Sequence, residues 1–160
     1  EFFWYGCPHC FAFEPALDAW QKKLPADVAF RRVPVAFRES FAIHQKLFYA
    51  IDAMGKVEEL HRKVFQAIHV NKQRLEKEDE ILAFVQKNGV DPAKFKEVLS
   101  SFTVSTKAKQ ATRLADAYKI DGVPALGIGG KYFTSGQLAG SPERSLLVAD
   151  ALIDRVRKGA

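Results

Sequence analysis

At 160 residues with a formal charge of +5, the chain has room for one domain, or for one domain carrying a large insertion. Its 24 Lys and Arg are interspersed with 19 Asp and Glu, and no basic run carries interleaved aromatics, so a solvated surface is favoured over a nucleic-acid face. Hydrophobic residues make up 48% of the chain, enough for a core, but no run of about 18 apolar residues is available to span a membrane. No charged start, short apolar segment and cleavage site mark a secretory leader. The chain opens abruptly inside what reads as a strand, which fits a leading segment removed or left out.

Glu1 to Tyr5 is short, aromatic and bounded by Gly6, the pattern of a buried strand. Pro8 suits the first turn of a helix, where its missing N–H is no loss. That helix is expected to reach about Leu24, with Pro15 interrupting it. A second strand covers Val28 to Val33 and is closed by Pro34. Ser40 is expected to cap a helix with Phe41, His44, Leu47, Phe48 and Ile51 on one face and Gly55 after it. Further helices are predicted over Val57 to Ile68, over Asp79 to Lys87 with a stop at Gly89, and from an Asp91-Pro92 start to about Ser101. Another runs from about Val104 to Tyr118, with Leu114, Ala117 and Tyr118 inward. Strands Ala125 to Ile128 and Lys131 to Phe133 flank Gly129-Gly130, a two-residue hairpin signal. Ser141-Pro142-Glu143 opens the last helix, with Leu146, Leu147, Ala151, Leu152 and Val156 on its inner side. The order β-α-β, helices, β-β-α requires strands from both ends of the chain to share one sheet, so the helical middle is an insertion.

The only two cysteines lie at Cys7-Pro8-His9-Cys10, on the predicted strand-to-helix turn. A disulfide there closes a four-residue ring worth roughly 2 kcal/mol, about the least such a bond can contribute. It is better suited to being made and broken than to stapling. Thiolate is the attacking species in exchange, and Cys7 sits where the free amides of His9 and Cys10 and the positive helix end favour an anion. Cys10, one turn deeper on the same face, is placed to resolve a mixed disulfide. Two inert cysteines or half a zinc site are the alternatives, but zinc wants four ligands, and His44, His61 and His69 show no ligand spacing to Cys7. A c-type haem would need His where Phe11 stands. His9 is either exposed or a donor to the Cys7 sulfur; the other histidines are expected to have no catalytic role. Glu14, four residues beyond Cys10, and Glu1, on the entering strand, are either solvated or semi-buried acceptors of the Cys10 proton. Gly122-Val123-Pro124-Ala125 precedes a strand, and from the residues alone Pro124 can be cis or trans.

These residues resemble the DsbA family of bacterial thiol–disulfide oxidases. Phe2 through Cys10 matches its Phe-x-x-x-x-Cys-Pro-His-Cys pattern, Phe13-Glu14 its following Phe-Glu, and Gly122 to Ala125 with Gly130 to Tyr132 its cis-proline loop and hairpin. The resemblance covers nearly the whole chain. It implies an α/β protein, a thioredoxin fold with an inserted all-helical domain, divided as a thioredoxin-like domain of residues 1–37 and 104–160 and an insertion of residues 38–103. It further implies Cys7 as nucleophile, Cys10 as resolving thiol, His9 as the residue tuning them, Glu1 and Glu14 as buried acids, and Val123-Pro124 as the pair holding an extended substrate strand. Arg32 stands nearest the family's third charged residue, a lysine; an arginine cannot release a proton at usable pH, so no relay role carries over. Family members have a further strand ahead of the position of Glu1.

The implied activity is a thiol:disulfide oxidase of the periplasm, acting as a monomer, that gives its Cys7–Cys10 disulfide to exported, folding polypeptides. The implied partner is a DsbB-like, quinone-linked membrane reoxidase, with no cofactor beyond the redox-active disulfide, no metal and no nucleic acid. A reductase would more often carry Gly-Pro between its cysteines, and an isomerase a dimerisation domain for which there is no room. A peptide-binding module would have no use for paired thiols.

Overall fold

A computed structural model describes residues 1–159. Four strands form one sheet in the order β2-β1-β3-β4, with β1 at Phe2–Phe3, β2 at Val33–Pro34, β3 at Ala125–Ile128 and β4 at Tyr132–Ser135. Strands from both ends of the chain therefore meet, as the element order requires. β1 pairs antiparallel with β3 at Phe2 and Ala125, and β3 pairs antiparallel with β4 from Ala125 opposite Ser135 to Ile128 opposite Tyr132.

The early strands are shorter than the sequence suggests. Of the expected Val28–Val33 strand only Val33 is in β2, its N–H donating to the Glu1 carbonyl at 2.7 Å, while the Arg31 carbonyl accepts from the Glu1 nitrogen at 2.7 Å. Val28 instead closes a turn on the Pro25 carbonyl, and Phe30 turns toward the core. Pro34, expected to end the strand, belongs to it; at the edge of a sheet its missing N–H costs no ladder bond. The hairpin also differs. Gly129 and Gly130 take φ of 61° and 72°, the left-handed region open to glycine. Lys131 N–H then closes on the Ile128 carbonyl at 3.1 Å, so three residues, not two, separate the paired Ile128 and Tyr132.

By contacts the chain divides into two compact units. The first comprises Glu1–Phe3, Cys7–Val33 and the chain from Leu114 onward. It contains helix α1 (Pro8–Gln21), the short α7 (Gly136–Ala139) and α8 (Pro142–Arg157). Phe13, Leu17, Leu126, Ile128, Leu146 and Ala149 form its core, with Trp20, Phe30 and Ile153 packed around it. Ser141 Oγ caps α8 by accepting from Arg144 N–H at 3.1 Å. The inner face of α8 runs through Ser145, Leu146 and Ala149; Leu147, expected inward, is 69% exposed, because a 100° step from Leu146 carries it off the stripe.

The second unit comprises Trp4–Gly6 and Pro34–Arg113. Its helices are α2 (Ala42–Ala53), α3 (Val57–His69), α4 (Glu78–Lys87) and α5 (Pro92–Leu99), followed by α6 (Phe102–Ala117), which continues past its boundary. Leu47, Ile51, Leu60, Val64, Phe65, Ile81 and Phe95 are buried here. Asp91 caps α5 as expected, accepting from Ala93 N–H at 3.0 Å. Ser40 does not cap α2. It lies within a 3₁₀ turn, Glu39–Phe41, that runs straight into the helix with no side-chain cap. The amides of Phe41 and Ala42 bond back to Arg38 and Glu39, so the donors a serine would have satisfied already have partners.

Candidate active site

The site begins with the helix start. Cys7, with φ −85° and ψ 115°, is the N-cap of α1, Pro8 takes the first helical position, and Phe11 N–H closes the first turn on the Cys7 carbonyl at 3.1 Å. Extended backbone at the cap turns the Cys7 side chain back over the free amides. Its sulfur accepts from Cys10 N–H at 3.2 Å. Cys7 is 7% exposed and Cys10 fully buried; both are free thiols. His9, between them, is exposed.

The Cys7 thiol is held down at about 6, from an ordinary 9.0. The largest cause is the Cys10 thiol, which donates to the Cys7 sulfur; the amides of Cys10 and His9 and the charge of His9 act in the same direction, and burial opposes them. Sequence reasoning named the amides and His9 but missed the Cys10 thiol, although the three-residue spacing that stacks the two cysteines on one face was the available signal.

Opposite the dithiol lies the loop before β3. The Val123–Pro124 bond is cis, and the Val123 carbonyl is 3.6 Å from the Cys7 sulfur. A cavity of about 390 Å³ is lined by His9, Val123, Pro124, Phe133, Gln137 and neighbouring residues. The structure thus brings His9, Val123 and Pro124 to one concavity beside Cys7.

Glu1 and Glu14 form a second group. Both are buried, at 8% and 5% exposure, and Arg32 Nη2 lies 3.5 Å from Glu14 Oε2. Glu1 Oε1 is buried with no hydrogen-bond partner among the described residues. Burial pushes the Glu1 carboxyl up to about 8; the amino group of Glu1 and, more weakly, Arg32 oppose the push, while Glu14 and the Cys7 charge add to it. A carboxyl in that range can carry a proton at neutral pH and exchange it. The Arg32–Glu14 pairing was missed, because it joins a helix to a non-helical segment eighteen residues on.

A small sheet, a helix capped by the first cysteine of Cys-x-x-Cys, and a cis-proline loop against that sulfur together define a thioredoxin-type thiol–disulfide oxidoreductase. Residues 32–147 match the family described as DSBA-like thioredoxin domain. The chain is 44% identical over 157 residues to the thiol:disulfide interchange protein DsbA of Azotobacter vinelandii, covering 98% of this chain and 73% of that one. Its fold matches the crystal structure of Pseudomonas aeruginosa DsbA with a TM-score of 0.95 at 41% identity, over 99% of this chain and 83% of that one. It matches the oxidoreductase DsbA from Xylella fastidiosa with a TM-score of 0.90 at 29% identity, over 99% and 84%. The chain belongs to the DsbA family and is a thiol:disulfide oxidoreductase with the thioredoxin fold and helical insertion of that family.

Proposed function

We propose that the Cys7–Cys10 disulfide is donated to exported, folding polypeptides, with Cys7 as the attacked and leaving sulfur. A substrate thiolate attacks Cys7 Sγ; the Cys7–Cys10 bond breaks, and Cys10 leaves with the electron pair and takes up a proton. A second substrate thiolate then attacks the substrate sulfur of the mixed disulfide and expels Cys7 as thiolate. Two substrate thiols are oxidised to a disulfide, and the Cys7–Cys10 disulfide is reduced to the dithiol. The low Cys7 pKa supports this direction: a stable thiolate leaves readily and favours the reduced enzyme. His9 tunes that sulfur. Glu1 and Glu14, buried and coupled by charge, give the proton to Cys10 as it leaves, or take it in the reverse direction.

Val123 offers its backbone to an extended substrate strand, and Pro124 adds no N–H to compete for it. Residues 1–37 and 104–160 form the catalytic domain and residues 38–103 the helical insertion. No helix among the described residues is long and apolar enough to cross a membrane. The site of action is the periplasm, the enzyme acts as a monomer, and a DsbB-like, quinone-linked membrane protein returns the dithiol to the disulfide.

The observation that carries this reading is the Cys10 N–H to Cys7 Sγ bond of 3.2 Å at the helix start. Equilibration with a glutathione redox buffer tests it. An oxidase stays largely reduced in a mixture that keeps ordinary protein disulfides oxidised, whereas a chain that remains oxidised there is a reductant, and the donation model fails.

A further inference from the structure

Three of the four histidines take no part in the exchange described above, yet all three converge on the residues just ahead of Cys7. Trp4 Nε1–H donates to His44 Nδ1 at 2.9 Å. The Tyr5 hydroxyl is hydrogen-bonded to His61 Nδ1 at 2.8 Å. His69 Nε2–H donates to the Tyr5 carbonyl at 2.7 Å. Trp4, Tyr5 and Gly6 belong to the same compact unit as these histidines, and the Gly6–Cys7 peptide bond joins them to the nucleophile.

We infer that His44, His61 and His69 are positioning residues for Cys7, a clamp on Trp4-Tyr5-Gly6 that fixes how the backbone enters the helix cap. The inference rests on the assignment of Cys7 as nucleophile. Glycine leaves its own backbone torsions loosely restricted, so Gly6 by itself does not aim Cys7 at the amides. It is nonetheless required: a Cβ there would lie 2.3 Å from the Trp4 ring, which folds over it. That ring is stacked on Phe41 with centroids 3.8 Å apart. The orientation that glycine leaves open is therefore supplied from outside, by bonds to Trp4 and to both ends of Tyr5.

The hydrogen-bond inventory fixes one tautomer. Indole N–H only donates, so His44 Nδ1 must accept, and His44 Nε2 carries the proton. It donates to the carbonyls of Leu75 at 2.9 Å and Arg74 at 3.2 Å. His44 is thus an adaptor between Trp4 and the 74–75 backbone, and its 2% exposure leaves water little part in it. His61, 5% exposed, sits among the rings of Tyr5, Phe48 and Phe65. The amide bonds that hold the Cys7 thiolate are steeply angle-dependent, so slack in the preceding residues weakens them.

The test pairs disruptive with isosteric variants and reads the pH profile of Cys7 alkylation beside thermal melting. His69→Gln keeps a donor near the Nε2 position, and His44→Asn keeps an acceptor near Nδ1; His69→Leu and His44→Leu keep neither. The leucine variants should slow Cys7 alkylation at about pH 6 on the order of five- to tenfold, with the isosteres within about twofold of the parent. Leucine variants that melt early but keep the parent's pH profile would show a merely structural role and overturn the clamp. Tyr5→Phe retains the ring and loses only the O–H, so it carries the test if the leucine variants do not fold; an unchanged profile in it refutes the clamp. A parent profile centred where a free thiol titrates removes the nucleophile reading and the clamp with it, an outcome separate from parent and variants agreeing at low pH.

Discussion

At Cys7 several small effects act on one sulfur, and their order is a matter of geometry. The strongest donor is the partner thiol of Cys10, ahead of the amides and of the His9 charge. Cys10→Ala should therefore raise the Cys7 pKa by about one unit or more, while Cys10→Ser, which keeps a hydroxyl donor, raises it less. His9→Ser, losing only the weakest of these contributions, should shift it by less than Cys10→Ala. Ultraviolet thiolate absorbance followed through a pH titration reads all three. If His9→Ser moved the value more than Cys10→Ala, charge rather than hydrogen bonding would govern the site. The cysteine pair and its place on the turn were legible in the sequence because the chemistry is local, within four residues. The burial of Glu1 and Glu14 was one of two open readings there. The Arg32 pairing was hidden, because it depends on the tertiary path of a segment with no regular structure.

At the level of elements, local capping chemistry was readable and the choice of buried face less so. Asp91-Pro92 and Ser141-Pro142 start helices as their residue types dictate, whereas Ser40 fails because a 3₁₀ turn already bonds the amides it would serve. In α6 the expectation followed bulk and put Leu114, Ala117 and Tyr118 inward. The structure buries Val104, Ala108, Ala111 and Ala115 instead and leaves Leu114 43% exposed. That stripe keeps helical spacing, but it is made of small residues, which carry little hydrophobic signal and permit close approach. The energetic consequence runs against side-chain size. Ala111→Leu should destabilise by about 1–3 kcal/mol through overpacking, and Leu114→Ala by no more than about 0.5 kcal/mol. Urea melts of the two variants decide it; a larger loss for Leu114→Ala would mean that the exposed leucine is covered in solution.

Across the whole molecule, the return of strand grammar at Ala125 told that the two ends of the chain share a sheet, and β1 paired to β3 is that junction. The same long-range closure places the Val123 carbonyl against Cys7, so redox chemistry and global stability are linked through one titrating group. The Cys7 thiol has a folded pKa of about 6 against an ordinary 9.0. A depressed acid contributes stability that is complete above the unfolded value and disappears as pH falls through the folded one. For the dithiol form this contribution is present at about pH 8 and almost gone at about pH 5. The disulfide form lacks that contribution but gains roughly 2 kcal/mol at any pH from closing its four-residue ring in the unfolded chain. Glu1, whose raised pKa works in the opposite direction, is buried in both forms, so only the part of its rise caused by the Cys7 charge remains in the difference. Acidification from about pH 8 to about pH 5 should therefore shift the balance of stability toward the disulfide form. Paired urea unfolding curves at the two pH values measure this. A difference between the forms that does not move with pH would mean that Cys7 titrates alike folded and unfolded, and the thermodynamic basis for disulfide donation would be lost.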